Sequence, residues 1–179
     1  MSQEVIQKNW IDTPTLKPRI DKVVVNMCIG KSGAPLEKAE KILSELTGQL
    51  PCKRQAKKTI REFGIRKGEP ISCMVTLRNK RALKFLTKVM PVISNRLSAN
   101  SFDKQGNISF GIHEHIEIPG VKYDPDIGIF GMDVCISLNR IGYRVKKRKR
   151  QKTKIGSKQL LTSNDAKTFV MSELGVEVY

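Results

Sequence analysis

The sequence predicts an α+β fold: an antiparallel sheet of about five strands with helices packed on one face and long basic loops. Three observations lead there. Apolar residues alternate with period two around residues 19–30, 71–78 and 132–138, and recur at helical spacing over residues 36–46 and 166–174. The strand-like runs are joined by short connections, which favours antiparallel pairing. Each run has one apolar and one largely polar side, so helices on a single face complete the burial.

The first strand, residues 19–30 (RIDKVVVNMCIG), turns Val23, Val25, Met27 and Ile29 to one side and Val24, Asn26 and Cys28 to the other. Gly30 and Gly33 end it, and Pro35 suits the first turn of a helix striped by Leu36, Ala39, Ile42, Leu43 and Leu46, with Gly48 as its stop. Residues 51–70 show no core-building pattern. In the next strand Ile71, Cys73, Val75 and Leu77 alternate with Ser72, Met74, Thr76 and Arg78.

Asn79 is expected to cap a second helix carrying Leu83, Leu86 and Val89, with Pro91 giving a kink or a restart towards Leu97. A third strand is expected over residues 107–118, burying Ile108, Phe110, Ile112, Ile116 and Ile118. Asp124 and Asp126 flank Pro125 in an expected turn. Met132, Val134, Ile136 and Leu138 make a fourth strand, and the last helix starts near Ser163–Asp165 with Ala166, Phe169, Val170 and Leu174 before Gly175. At 179 residues the expectation is a single domain, residues 1–179, with a basic arm at residues 144–160 inserted before the last helix.

Charge narrows the function. The chain holds 33 Lys and Arg against 17 Asp and Glu, a net charge of +16, and its pI is about 9.9. Residues 144–158 (RVKKRKRQKTKIGSK) carry nine cations and no acid, and residues 51–88 carry twelve more against Glu62 and Glu69. Such clustering is the footprint of a nucleic-acid binder, because phosphates remove the self-repulsion and counterions are released. An anionic membrane would call for a basic helix with a continuous apolar stripe, which neither cluster has. No apolar run reaches a membrane span, and the N-terminus does not open as a signal peptide. Cys28, Cys52, Cys73 and Cys135 lack paired spacing, so neither zinc nor a disulfide frame is expected; Cys28 and Cys73 read as reduced core fillers of a cytosolic protein.

Catalytic patterns are weak. Gly30-Lys31-Ser32 resembles the end of a P-loop, but Val25 stands where the motif needs its first glycine. His113, His115 and Glu117 would share one face of a strand, the nearest approach to a metal site, and they support the rival reading of a metal-dependent RNA-processing enzyme. A DNA-binding structural protein is a third option. Aromatics make up only 6%, so binding through stacked single-stranded bases fits poorly and recognition should rest on phosphates, shape and polar groups of the sheet.

A longer chain of motifs is more specific. Thr47-Gly48-Gln49-x-Pro51, Ala56-Lys57-Lys58-Thr59-Ile60, Phe63-x-Ile65-Arg66-x-Gly68-x-Pro70-Ile71, Val75-Thr76-Leu77-Arg78, Ser101-Phe102-Asp103-x-x-Gly106-Asn107 and Gly131-Met132-Asp133 occur in order over residues 19–140, with Val25-Asn26-Met27 in the opening strand. Together they resemble the universal large-subunit ribosomal protein family "L five". Cys52, Arg54 and His115 depart from the bacterial pattern, and the insertion at residues 144–158 resembles archaeal members.

The resemblance implies a non-catalytic constituent of cytoplasmic ribosomes without cofactor or metal. It implies a five-stranded sheet whose concave face binds 5S rRNA in the central protuberance, beside large-subunit rRNA and neighbouring ribosomal proteins. On that face Lys22, Asn26, Thr76 and Arg78 are the candidates for RNA contact. Lys53, Arg54 and the arm residues Arg144, Lys146, Lys147, Arg148, Lys149 and Arg150 are the candidates for phosphate. A loop bearing Lys57, Lys58, Arg61, Arg66, Lys67 and Gly68 is implied to reach the elbow of peptidyl-site tRNA.

Overall fold

The computed structural model describes residues 3–121 and 128–179. The expected turn at Asp124–Asp126 lies outside the described residues. In chain order the regular elements are α1 (Gln3–Asp12), β1 (Arg19–Cys28), α2 (Ala34–Thr47), β2 (Cys52–Gln55), β3 (Pro70–Leu77), α3 (Asn79–Val89), β4 (Arg96–Leu97), β5 (Ile108–Ile112), β6 (Met132–Asn139), α4 (Arg144–Lys147), α5 (Ser163–Leu174) and β7 (Glu177–Val178).

Five strands form one sheet in the order β2-β3-β1-β6-β5, every pair antiparallel. The alternation read from the sequence sets the register: Val23, Val25 and Met27 oppose Leu77, Val75 and Cys73, and Val25 also opposes Val134. All of these are buried. They meet Leu36, Ala39 and Leu43 of α2, Ala82, Phe85, Leu86 and Val89 of α3, and Ala166, Phe169 and Val170 of α5 in one core. α1, unforeseen in the sequence, packs on α5 and buries Ile6 and Trp10.

Helix ends follow local chemistry. Gly48 and Gly175 take left-handed conformations after α2 and α5, where a side chain would be strained. Thr162 and Asp165 satisfy each other's backbone amides at the start of α5, so two otherwise orphaned donors are paired.

Several expectations are corrected. Asn79 is not a cap: it is the first residue of α3, with φ of +51°, and Arg78 holds the cap position without a side-chain hydrogen bond. Leu83 points to solvent, because the stripe that meets the sheet is Ala82, Phe85, Leu86 and Val89. Pro91 lies within a short 3-10 turn, Met90–Ile93, which leads to β4, paired in parallel with β7 near the C-terminus. β5 stops at Ile112, and residues His115–Glu117 form a 3-10 turn, so the third strand is shorter than expected. Residues 51–70 contain β2, an edge strand with all four residues exposed. Cys28 is exposed; of the two cysteines expected inside, Cys73 alone is buried.

Candidate nucleic-acid interface

Apart from Ser72, every buried residue of the five-stranded sheet faces the helices. The opposite face is left open. Register places Lys22 beside Ser137, Val24 between Thr76 and Cys135, and Asn26 between Met74 and Asp133. Arg54 lies opposite Ser72 at the β2 edge. The floor is therefore mixed: the Thr76 and Ser137 hydroxyls, the Cys135 thiol and the Asn26 amide lie beside apolar Val24 and Met74 and one carboxylate, Asp133, with Lys22 and Arg54 among the cations. Neutral donors and acceptors suit sugar and base edges, and rim cations suit phosphates. Lys22, Asn26 and Thr76 share this face, and Arg78, just past the end of β3, reaches Asp21 beside it. Lys53 does not share the face: it opposes Cys73 on the other side of β2, and its Nζ pairs with Glu40 of α2 at 3.2 Å.

A β-bulge in β1 between Ile20 and Lys22 inserts one residue and re-aims Asp21. Its carboxylate accepts from Lys147 Nζ at 2.6 Å and from Arg78 Nη1 at 3.4 Å. Partial burial alone would push this carboxyl up. The Lys147 hydrogen bond and the charges of Lys147, Arg78 and Lys22 outweigh burial and hold it below the ordinary carboxylate value. Two residues expected to touch RNA, Arg78 and Lys147, thus bind one carboxylate, with the charge of Lys22 close by.

The loop at residues 57–68 is a closed excursion. Ile60 and Ile65 bridge each other, Gly68 N–H donates to Ala56 C=O at 2.9 Å, and Lys67 N–H donates to Thr59 Oγ1 at 3.0 Å. Glu69 accepts from the Ser32 hydroxyl and, at 2.9 Å, from Arg66 N–H; these two bonds hold its carboxyl below the usual value. Gly68 has φ of +88°, which only glycine adopts without strain. Lys57, Lys58, Arg61, Arg66 and Lys67 all face solvent, as does Phe63, 70% exposed at the turn.

The arm is clamped at its roots. Tyr143 OH donates to Gln159 C=O at 3.2 Å and accepts from Leu161 N–H at 2.7 Å. Arg140 Nη1 donates to Leu160 C=O at 3.0 Å, while Nη2 pairs with the α5 cap residue Asp165 at 2.9 Å in a nearly buried ion pair. Arg144, Lys146 and Lys147 lie on the short helix α4. Arg148, Lys149 and Arg150 follow on exposed chain. Nothing in the charge pattern reveals the clamp, although a tyrosine beside so polar a run is a signal that something there is anchored.

The metal reading loses its geometry. His113 is exposed, whereas His115 is buried beyond the end of β5, its Nδ1 accepting from Phe130 N–H at 3.2 Å. Burial pushes the His115 pKa down, which keeps the ring neutral and structural. His113, His115 and Glu117 therefore do not share a strand face. Among the described residues no group of three or more His, Cys, Asp or Glu could hold a metal ion. The buried Cys73 thiol is pushed up to about 11 by burial, so it stays protonated and inert. Among the described residues no helix is long and apolar enough to cross a membrane.

Comparison with known proteins finds matches to both halves of the chain. Residues 14–66 match the family described as ribosomal protein L5, and residues 70–175 match the C-terminus of the same ribosomal family. The large ribosomal subunit protein uL5 of Pyrobaculum aerophilum is 52% identical over 165 residues, covering 92% of each chain. The protein of the same name from Methanospirillum hungatei is 49% identical over 92% of this chain and 98% of its own, and that from Sulfolobus acidocaldarius is 50% identical over 89% of each. With its open sheet face, its two cationic excursions and these matches over nearly its whole length, the chain belongs to the L5 family of large-subunit ribosomal proteins, in its archaeal form, and is a structural rather than catalytic constituent of the ribosome.

Proposed function

We propose that the open face of the sheet and the arm bind 5S rRNA in the central protuberance, and that the loop at residues 57–68 contacts the elbow of peptidyl-site tRNA. The observation that carries this reading is the sheet face that no helix covers among the described residues, bordered by the Lys22, Arg78 and Lys147 cluster. Lys22, Asn26, Thr76, Arg78 and Arg54 would lie against the RNA, with Arg144, Lys146, Lys147, Arg148, Lys149 and Arg150 reaching phosphates from the arm. Lys53 has a weaker part, since it already serves Glu40. The loop cations Lys57, Lys58, Arg61, Arg66 and Lys67 project on a frame fixed before tRNA arrives, with Gly68 closing it. Residues 1–179 act as one domain in this reading.

The test is binding of purified protein to 5S rRNA across a salt series. With about eight phosphate contacts, affinity falls by roughly 10³ to 10⁵ between 50 and 200 mM salt. A flat salt response, or equal competition by duplex DNA, would remove the proposal. For the loop, replacing Lys57, Lys58 and Arg61 with Ala should reduce retention of peptidyl-site tRNA on ribosomes while 5S rRNA binding stays close to wild type. The reverse pattern would assign the loop to ribosomal RNA.

A further inference from the structure

We infer that the cleft between the end of the open sheet face and the root of the arm is a pocket for one unpaired RNA nucleotide. This rests on the proposed binding of 5S rRNA and gives that surface a specific site. The cleft measures about 500 Å³, within the roughly 300–1,000 Å³ typical of sites for small ligands.

Its walls are chemically divided. Lys146, Lys147 and Lys152 stand on the arm side, with Asp21 as the one acid, already engaged by Lys147. Ser137 and Asn139 of β6 form the sheet side. Leu160, 44% exposed, and the Tyr143 ring supply apolar surface between them, with buried Leu161 behind.

A small inorganic anion would need the lysines but neither the volume nor the apolar lining. A base-paired duplex would not enter. A nucleotide turned out of its stack fits all three walls: phosphate to the lysines, the flat base against Leu160 and the Tyr143 ring, and its edge to the sheet-side amide and hydroxyl. Asn139 lines the cleft, and among the described residues its Oδ1 has no hydrogen-bond partner; the atom is buried, so the amide must turn to meet a base. Such a group usually has an explanation, and an incoming base offers N–H donors. The cleft is continuous with the candidate RNA face, since Ser137 sits opposite Lys22 on the open side of the sheet.

Two variants fill the cleft from opposite walls without touching the lysines: Ser137→Phe and Leu160→Trp. Full-length wild type and both variants are titrated against 5S rRNA and, separately, large-subunit rRNA. Dimethyl sulfate probing of unpaired adenines and cytosines accompanies each titration, and thermal unfolding verifies the fold. Each folded variant should lose roughly tenfold in affinity for one of the two RNAs, as expected for one lost base contact, with an unchanged salt slope. One unpaired base protected by wild type should regain reactivity in both. That RNA is then the source of the nucleotide. If both variants fold and bind either RNA like wild type with the same protections, the inference is overturned while the proposed function stands. If wild type itself binds neither RNA in a salt-dependent way, both fall together. Should one variant unfold, the other decides the outcome.

Discussion

Residues 57–68 carry five cations in twelve positions and residues 144–158 carry nine in fifteen, yet the two excursions are built in opposite ways. The loop is closed from within by the Ile60–Ile65 bridge, the Gly68–Ala56 hydrogen bond and the Glu69 carboxylate. The arm is closed at its base by Tyr143 and Arg140; among the described residues the amides of residues 149 to 155 make no backbone hydrogen bond. A cationic composition therefore does not by itself set the degree of order. The loop's internal bonds offset the conformational entropy it loses on folding, whereas the arm tip has no backbone bonds from its own amides to do so. A pre-set loop suits a transient partner, and a compliant arm suits a permanent one.

The sharpest way to break this contrast is at the arm root. Arg140→Ala leaves Asp165 as a nearly buried carboxylate without its cation and should cost about 3–5 kcal/mol in denaturant unfolding. It should also loosen the start of α5. A loss below about 1 kcal/mol would mean that the clamp is not what holds the arm. Tyr143→Phe is milder: it deprives Leu161 N–H of its acceptor and should cost about 1–3 kcal/mol.

Deleting residues 148–154 tests the other half of the comparison. The roots and the Lys147–Asp21 pair survive, so the thermal midpoint should hold while the salt slope of 5S rRNA binding falls by about 0.9 for each phosphate contact removed. A collapsed transition would make the tip structural. The smallest expected effect lies in the loop. Glu69→Ala should speed hydrogen exchange at the amides of Arg66 and Lys67 without moving the global transition, because the carboxylate is exposed and its bonds are local.

Acidity acts on a separate part of the molecule. The folded-state pKa of His115 is depressed, so its neutral ring favours the folded state above the unfolded value of about 6.5. That contribution is lost as pH falls from there through the lowered folded value. His115→Phe should flatten stability across this window. An unchanged pH profile would show that the neutral ring contributes nothing.

Much of this is legible in the sequence. The residues that alternate in β1, β3 and β6 are the ones that build the core, because period two against a single helical layer leaves each strand one choice of face. The edge strand β2 is not legible: Cys52–Gln55 has no apolar side, and its backbone pairing with β3 leaves no mark in composition. For the same reason Lys53 cannot be separated from Arg54 by pattern, since their faces follow from register alone. Periodicity admits Leu83 as readily as Ala82 and Phe85, because a stripe several residues wide can be rotated without changing its period. The Asp21 cluster joins residues 57 and 126 positions apart, and a bulge redirects the side chain. Neither fact has a local signature.

The outer rim of β2 offers its unpaired backbone to water with Lys53 and Arg54 on opposite sides. Two like-charged copies meeting there would repel before their strands could join, a common guard against sheet-to-sheet aggregation. Exchanging both residues for valine would turn that rim into an adhesive seam.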